Sequence, residues 1–342
     1  MQGSARDGVE RAGGPASVNQ QTSRDAPTFD VVCLGEPMYE FSQIPGKSRE
    51  YLQGFGGDTM NCAIAAARQG ARVAYVCRVG DDAFGKQMFD LWEREGIDAT
   101  AVMTDADAHT AVYFISHGES GHTFSYLRKG SAASRFTADD LPAAMLRDTR
   151  FFYSSGISQA ISDSACDAVF AGIDIARKAG ARIVYDANFR PALWSVEKAR
   201  KLVRQTAGLT DYLLLSLEDA EALTGLSETS PILDWCAGAG AAVAILKLGA
   251  DGAIYRHNGA DRRVHGFPVE AVDATGAGDC FAGALMARLS ADDSLDDAIE
   301  YACSAAAITC GGYGAIDPVP RAPEVRALVS ARSASGGPGE TK

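Results

Sequence analysis

A run of small residues, Asp273-Ala274-Thr275-Gly276-Ala277-Gly278-Asp279-Cys280-Phe281-Ala282-Gly283, leads into a stretch of helical character that continues toward Leu289. At such a junction the backbone N–H groups of Gly276, Ala277 and Gly278 have no helical partner and face along the positive end of the helix dipole. Glycine also lets a ligand approach the backbone closely, so an anion such as a phosphate suits the place. Asp279 does not fit a simple anion hole, because a carboxylate there repels phosphate. The conflict disappears if Asp279 takes the proton of an attacking hydroxyl while the amides stabilise the transferring group. A second reading stays open on the local pattern: an acid in the first helical turn that serves only its own dipole.

Two other glycine patterns carry less chemistry. Gly276-x-Gly278 with the next glycine at Gly283 departs from GxGxxG and lies late in the chain, so a dinucleotide site is not expected. Gly80-Asp81-Asp82-Ala83-Phe84-Gly85-Lys86-Gln87 matches a P-loop until Gln87 replaces the magnesium-holding Ser or Thr. With two acids in the loop, it reads as a strand-to-helix turn.

Strands and helices must bring these residues together. Short apolar runs at Phe29–Gly35, Val73–Val76, Phe151–Ser154, Ile183–Asp186, Tyr212–Leu215 and Val243–Leu246 read as buried strands. Between most of them lie amphipathic helices, over Thr59–Gln69, Phe84–Glu95, Asp163–Ala179 and Glu197–Ala207. Continuous apolar strands alternating with helices predict an α/β fold, a doubly wound and mainly parallel sheet flanked by helices. Two regions break the alternation. Residues from Pro37 to Phe55 lack a helical period, and Ala111–Ser116 and Thr123–Arg128 flank a Gly118-Glu119-Ser120-Gly121 turn as in a hairpin. Together, over about 37–56 and 110–130, they predict a small β-sheet lid that could exclude water.

The 342-residue chain is 46% hydrophobic and 22% charged, with a net charge of -12. That acidity argues against nucleic acid and anionic membranes as partners. The eight cysteines show no CxxC pair, which predicts free thiols in a reducing cytoplasm. No run is long and apolar enough to span a membrane. Residues 1–28 and 331–342 are polar and glycine-rich and are expected to be disordered tails around one domain over 29–330.

The glycine run resembles the second signature of the ribokinase-like (PfkB-type) carbohydrate kinases. The first signature is similar to Gly56-Gly57-Asp58-Thr59-Met60-Asn61 through Arg68, followed by Val79-Gly80-Asp81-Asp82-Ala83-Phe84-Gly85, and the likeness covers roughly Asp30 to Val329. Within the family the detail resembles 2-keto-3-deoxygluconate kinases, on Leu34-Gly35-Glu36-Pro37-Met38, Gln53–Thr59, Tyr126-Leu127-Arg128-Lys129-Gly130-Ser131-Ala132-Ala133 and Asp186-Ala187-Asn188-Phe189-Arg190-Pro191-Ala192-Leu193-Trp194.

The resemblance implies that Asp279 is the catalytic base, with Gly276, Ala277 and Gly278 as anion hole. It implies that Gly57, Asp58 and Asn61 meet substrate hydroxyls and that Tyr113 and Tyr126 line the sugar. Arg128 would bind a substrate carboxylate, a group that a sugar acid has and a neutral hexose lacks. Arg190, at the carboxyl edge of the sheet, would steady substrate or phosphoryl group, and Asp317 would lie near the substrate. Without the resemblance, the two tyrosines read rather as cross-strand packing and Arg128 rather as a solvated surface residue. For the nucleotide the resemblance points to Asn188, Lys247, Gly249, Gly252 and Ser304, besides Gly276 and Gly278.

Two departures matter. Ser304 replaces an Asn that many relatives place beside adenine. Ser216-Leu217-Glu218-Asp219 stands where ribokinases carry Asn-x-x-Glu, so the metal-linked residue stays open between Glu218 and Asp219, and Asp186 reads as loop cap or magnesium partner. The implied cofactors are ATP and Mg2+, with room for a monovalent cation near Asp273 and Thr275. The implied enzyme is cytoplasmic and a homo-oligomer through the lid. Its expected reaction is phosphorylation of 2-keto-3-deoxygluconate to the 6-phospho product. A fructokinase or other keto-sugar kinase is the alternative within the family. A catalytically silent sugar- or nucleotide-binding regulator is the alternative outside it.

Overall fold

The structure is a computed structural model that describes residues 26–44, 46–118 and 121–334. Its main sheet orders eight strands as Ala260–Val264, Ala253–His257, Val243–Lys247, Tyr212–Ser216, Arg182–Asp186, Thr149–Ser155, Phe29–Leu34 and Val73–Val76. The last six are parallel and the first two join antiparallel, so the doubly wound sheet expected from the sequence is present. Alternation along the strands explains both layers. Val31, Cys33, Phe151, Tyr153 and Val184 share one core with helices Asp58–Arg68, Ala277–Ser290 and Leu295–Thr309. Val32, Leu34, Phe152 and Ile183 face helix Asp163–Lys178, while Tyr185, Leu213, Leu215 and Leu246 face helices Val196–Ala207, Leu217–Thr224 and Thr229–Gly238.

Strand order reverses beside Phe29–Leu34, which has Val73–Val76 on one side and the later Thr149–Ser155 on the other. Open α/β sheets bind ligands at the carboxyl ends of strands around such a reversal, because neighbouring connections leave in opposite directions there. A second sheet stands over that edge in the order Tyr51–Gly56, Met38–Gln43, Ala111–Gly118 and Gly121–Leu127. Its hairpin turn residues Glu119 and Ser120 lie outside the described residues. A short parallel pair, Arg78–Gly80 with Met103–Asp105, carries no signal strong enough to be foreseen.

The near-P-loop is a strand-to-helix turn. Asp82 caps helix Ala83–Glu95 by accepting from Gly85 N and also accepts from Thr110, so this acid serves the turn. The tail boundaries need one correction. Helix Ala322–Ala334 runs beyond residue 330, where the tail was expected to begin. Most of the expected tail over 1–28 falls outside the described residues, and Thr28 already donates to Asp148. All eight cysteines are free thiols, and no described helix is long and apolar enough to cross a membrane.

Candidate active site

Helix Ala277–Ser290 opens on Gly276, whose left-handed backbone (φ 76°) is tolerated by glycine. Space requires glycine as well, since a Cβ on Gly276 would stand 2.7 Å from the Ala315 carbonyl oxygen. No side chain caps this helix start. The expected trio of free amides is reduced by one, because Ala277 N donates to Ala274 O at 3.2 Å and closes a turn. Gly278 lies beside Lys247, with Nζ only 3.1 Å from where a Cβ would be. A cation and a helix dipole therefore converge on one glycine.

Asp279, in the first turn, accepts from Asn61 Nδ2 at 2.8 Å. Asn61 is on helix Asp58–Arg68, and the two helices lie close because Gly283 faces Cys62 O, Ala65 and Ala66 without a side chain between them. Burial and then the like charge of Asp58 push the Asp279 carboxyl up to about 8, with Asp186 adding to the rise. The Asn61 hydrogen bond and Lys247 work against that rise. A carboxyl so placed is a proton acceptor of moderate basicity.

Asp58 opens the neighbouring helix behind Gly57, whose φ of 106° brings its backbone against Glu36 O, where a Cβ has no room. Its Oδ2 accepts from Asn188 Nδ2 at 2.9 Å. Asp58 Oδ1 and Asn61 Oδ1 are buried and make no hydrogen bond. Two open acceptors side by side are costly unless a ligand with hydroxyl donors fills them. Burial raises the Asp58 carboxyl too, against the nearby charges of Arg190 and Arg128.

Above this floor the lid places Tyr113 and Tyr126 with ring centres 5.9 Å apart, and Arg128 lies 5.7 Å over Tyr126. The Tyr113 hydroxyl donates to Glu40, a buried carboxylate raised by burial and by the charges of Asp273 and Asp317. Asp317 is exposed and follows Ala315, which packs against Gly276, by two residues. Arg128 is not a free surface cation. Its Nε and Nη2 both face Glu36, which is 1% exposed and also accepts from Ser131 at 2.6 Å. The Nη1 edge takes no part in that pairing.

At the other side of Asp279, Lys247 donates to buried Asp186 at 2.5 Å. Burial alone would lower the lysine's pKa, but Asp186, Asp279 and Asp219 outweigh it and raise it, so the side chain stays cationic. Asp219 is raised by burial and then by Asp186, which places it in this acidic cluster, whereas Glu218 is exposed. Arg190 donates to Phe189 O at 2.9 Å and its charge reaches both Asp58 and Asp219.

Two residues expected at the nucleotide do something else here. Ser304 has no exposed surface and gives its hydroxyl to Glu300 O at 2.9 Å, because it sits inside helix Leu295–Thr309. Asn188, with an unusual φ of 34°, is buried on Asp58. Gly249 lies in the exposed turn after Lys247, and Gly252 is a backbone crossing that a Cβ would block at Val264 and Gly266. Glu36 and Glu40 were not foreseen as site residues. The available signal was a glutamate within or beside an otherwise buried strand, since carboxylates are seldom buried without a partner.

The chain is similar to known proteins over nearly all of the fold just described. It is 31% identical over 314 residues to 2-dehydro-3-deoxygluconokinase of Thermoproteus tenax, covering 89% of this chain and 95% of the relative. It is 32% identical over 314 residues to Fructokinase-1 of Zea mays, covering 87% and 97%. A crystal structure of fructokinase from Vibrio cholerae O395 in fructose, ADP and calcium ion bound form matches with a TM-score of 0.80 at 27% identity, covering 87% of this chain and 98% of that one. Residues 28–322 match the model of the pfkB family carbohydrate kinases. The glycine-opened helix with Asp279 and the paired helix with Asp58 and Asn61 therefore lie within a chain that belongs to the pfkB family of carbohydrate kinases.

Proposed function

We propose that this protein transfers the γ-phosphoryl group of ATP to the 6-hydroxyl of 2-keto-3-deoxygluconate. The observation that carries this reading is Asp279, held by Asn61 at 2.8 Å beside the Gly278 and Lys247 anion site. The hydroxyl oxygen attacks the γ-phosphorus, the bond from phosphorus to the bridging oxygen of ADP breaks, and the hydroxyl proton passes to Asp279. Gly276 and Gly278 face the developing negative charge along the helix dipole, and Lys247 adds a fixed cation. Asp58 and Asn61 orient the sugar through their open acceptors, with Gly57 allowing close approach. Tyr113 and Tyr126 cover it.

Asp186 and Asp219 suit Mg2+, which prefers one or two carboxylates together with substrate phosphates and water. Mg2+ would neutralise phosphate charge there. Gly249 and Gly252 flank the nucleotide side, and a monovalent cation beside Asp273 and Thr275 completes the set. The enzyme works in the cytoplasm, as a homo-oligomer joined through the lid.

Arg128 and Arg190 support a sugar acid, with Arg128 presenting its Nη1 edge and Asp317 near the substrate. A specific observation favours the second reading, phosphorylation of fructose: Glu36 already pairs with Arg128 and offsets its charge. The test is ADP release from ATP and Mg2+ with 2-keto-3-deoxygluconate, fructose, ribose or adenosine, using the native chain, Asp279→Asn and Arg128→Ala. The acid should be the best acceptor. Asp279→Asn should lower turnover by at least about a hundredfold while ATP binding changes little. Arg128→Ala should damage use of the acid far more than use of fructose. Preference for fructose with an indifferent Arg128→Ala removes the acid, and near-normal turnover of Asp279→Asn removes the base.

A further inference from the structure

Helix Asp58–Arg68 carries Asp58 and Asn61 at one end and Arg68 at the other. Arg68 is nearly buried, and its guanidinium is used on two sides at once. Nε and Nη2 meet Glu95 at 3.1 and 2.7 Å in a two-pronged pair, while Nη1 donates to Ile316 O at 2.8 Å and Val319 O at 2.7 Å. Next door, Gln69 Nε2 donates to Pro320 O at 2.7 Å and is itself held by the Tyr301 hydroxyl at 2.9 Å. At the other end of the same loop, Gly314 N donates to Asp273 at 3.0 Å.

The held segment contains two parts of the site. Asp317 lies between the two carbonyls that Arg68 grips. Ala315 packs against Gly276 so tightly that even a methyl group has no room. The position of this loop therefore sets where Asp317 stands and how the helix bearing Asp279 begins. A charge-assisted fork is suited to this work, since a planar guanidinium can hold a carboxylate and two carbonyls in one fixed geometry.

We infer that Arg68 is a positioning residue for phosphoryl transfer, which locks the 314–320 loop to the sugar-bearing helix and so aligns Asp317 and the Gly276 anion hole. It touches neither substrate. This inference rests on the kinase reading for its kinetic consequences but not for its structural ones.

Arg68→Lys is the informative variant, because a single ammonium keeps the charge on Glu95 and cannot span all three partners. With the sugar that the acceptor panel identifies, its KM for sugar should rise roughly tenfold and kcat should fall, from loss of charge-assisted hydrogen bonds. KM for ATP should hardly move. Backbone amide exchange, followed by mass spectrometry on the folded full chain, should quicken over 314–319 and 276–278 but not in helix Leu295–Thr309. In an Asp317→Ala background the same substitution should no longer raise KM for sugar. If Arg68→Lys is recovered only as aggregate, Glu95→Gln loosens the same fork from its other side and is read identically.

Unchanged exchange at both segments overturns the inference. So does a uniform rise in exchange with KM for sugar and ATP rising together, or an effect simply additive with Asp317→Ala. If no sugar is phosphorylated by the native chain, the kinase reading fails, and the exchange pattern alone still judges Arg68.

Discussion

Asp279 and Asp58 compete for the right to be charged. Each lies in a poorly solvated floor, and burial followed by the Asp58 charge lifts Asp279 to about 8. The free protein therefore holds a proton on Asp279 below that pH, and kcat/KM for the sugar should climb with pH through about 8 as the base form appears. Stability runs the other way. The folded pKa lies above the ordinary 3.8, so between about 3.8 and 8 the native state binds the additional proton and this group's contribution weakens as pH rises. Asp58→Asn removes the like charge and leaves the burial. Its acid limb in a pH profile of kcat/KM should therefore move to lower pH, whatever the change in sugar affinity. A limb that stays in place or moves up would show that Asp58 does not set the basicity of Asp279.

The element that matters most is the pair of helices that bring Asn61 to Asp279. Helix Asp58–Arg68 is buried along Asp58–Ala66, and small residues let helix Ala277–Ser290 come near enough for a hydrogen bond between their side chains. Gly283 is the closest point, with Cys62 O, Ala65 and Ala66 where its side chain would be. Gly283→Ala overpacks this crossing, and overpacking costs about 1–3 kcal/mol. The shift is about 2–4 °C per kcal/mol for chains of 150–250 residues and smaller for longer ones, so Tm should fall by a few degrees. Turnover should fall too, because the Asn61 to Asp279 contact must lengthen. A thermal melt and a single saturating rate suffice, and an unaltered Tm would mean that the two helices have slack.

At the scale of the molecule, the lid joins to the main sheet at the site itself. Leu52 and Leu127 are 63% and 60% exposed, and Phe124 and Tyr126 are also open on the same four-stranded sheet. Register puts Leu52, Phe124 and Tyr126 on one face and Leu127 on the other, and apolar side chains grouped like the first three on a sheet face suit a second copy of the chain. Leu52→Asp combined with Phe124→Asp, two changes on that one face, should convert an oligomer into monomers in sedimentation, with only a small effect on Tm. An unchanged sedimentation coefficient would place the subunit contact elsewhere. The net charge of -12 gives no help to phosphate binding, so the attraction must come from Lys247, Arg190 and the helix start.

Much of this was legible in the order of residue types. Apolar strand runs and helical periods specify a parallel sheet with two helical layers, because local periodicity decides which face is buried. The Gly276-Ala277-Gly278-Asp279 run could be read as an anion site with an acid because those properties belong to a helix start and to contiguous residues. Other features depended on residues far apart in the chain. Asn61 meets Asp279 across 218 positions and Asn188 meets Asp58 across 130, so no local spacing reports them. Pairing of Arg128 with Glu36 turns a supposed free cation into a half-neutralised one, and Ser304 proves to be interior to its helix. Charge, burial and pKa are properties of surroundings. The sequence by itself determined the fold class and the acid at the helix start, while only the tertiary structure decided what that acid touches, how basic it is and which cations remain available.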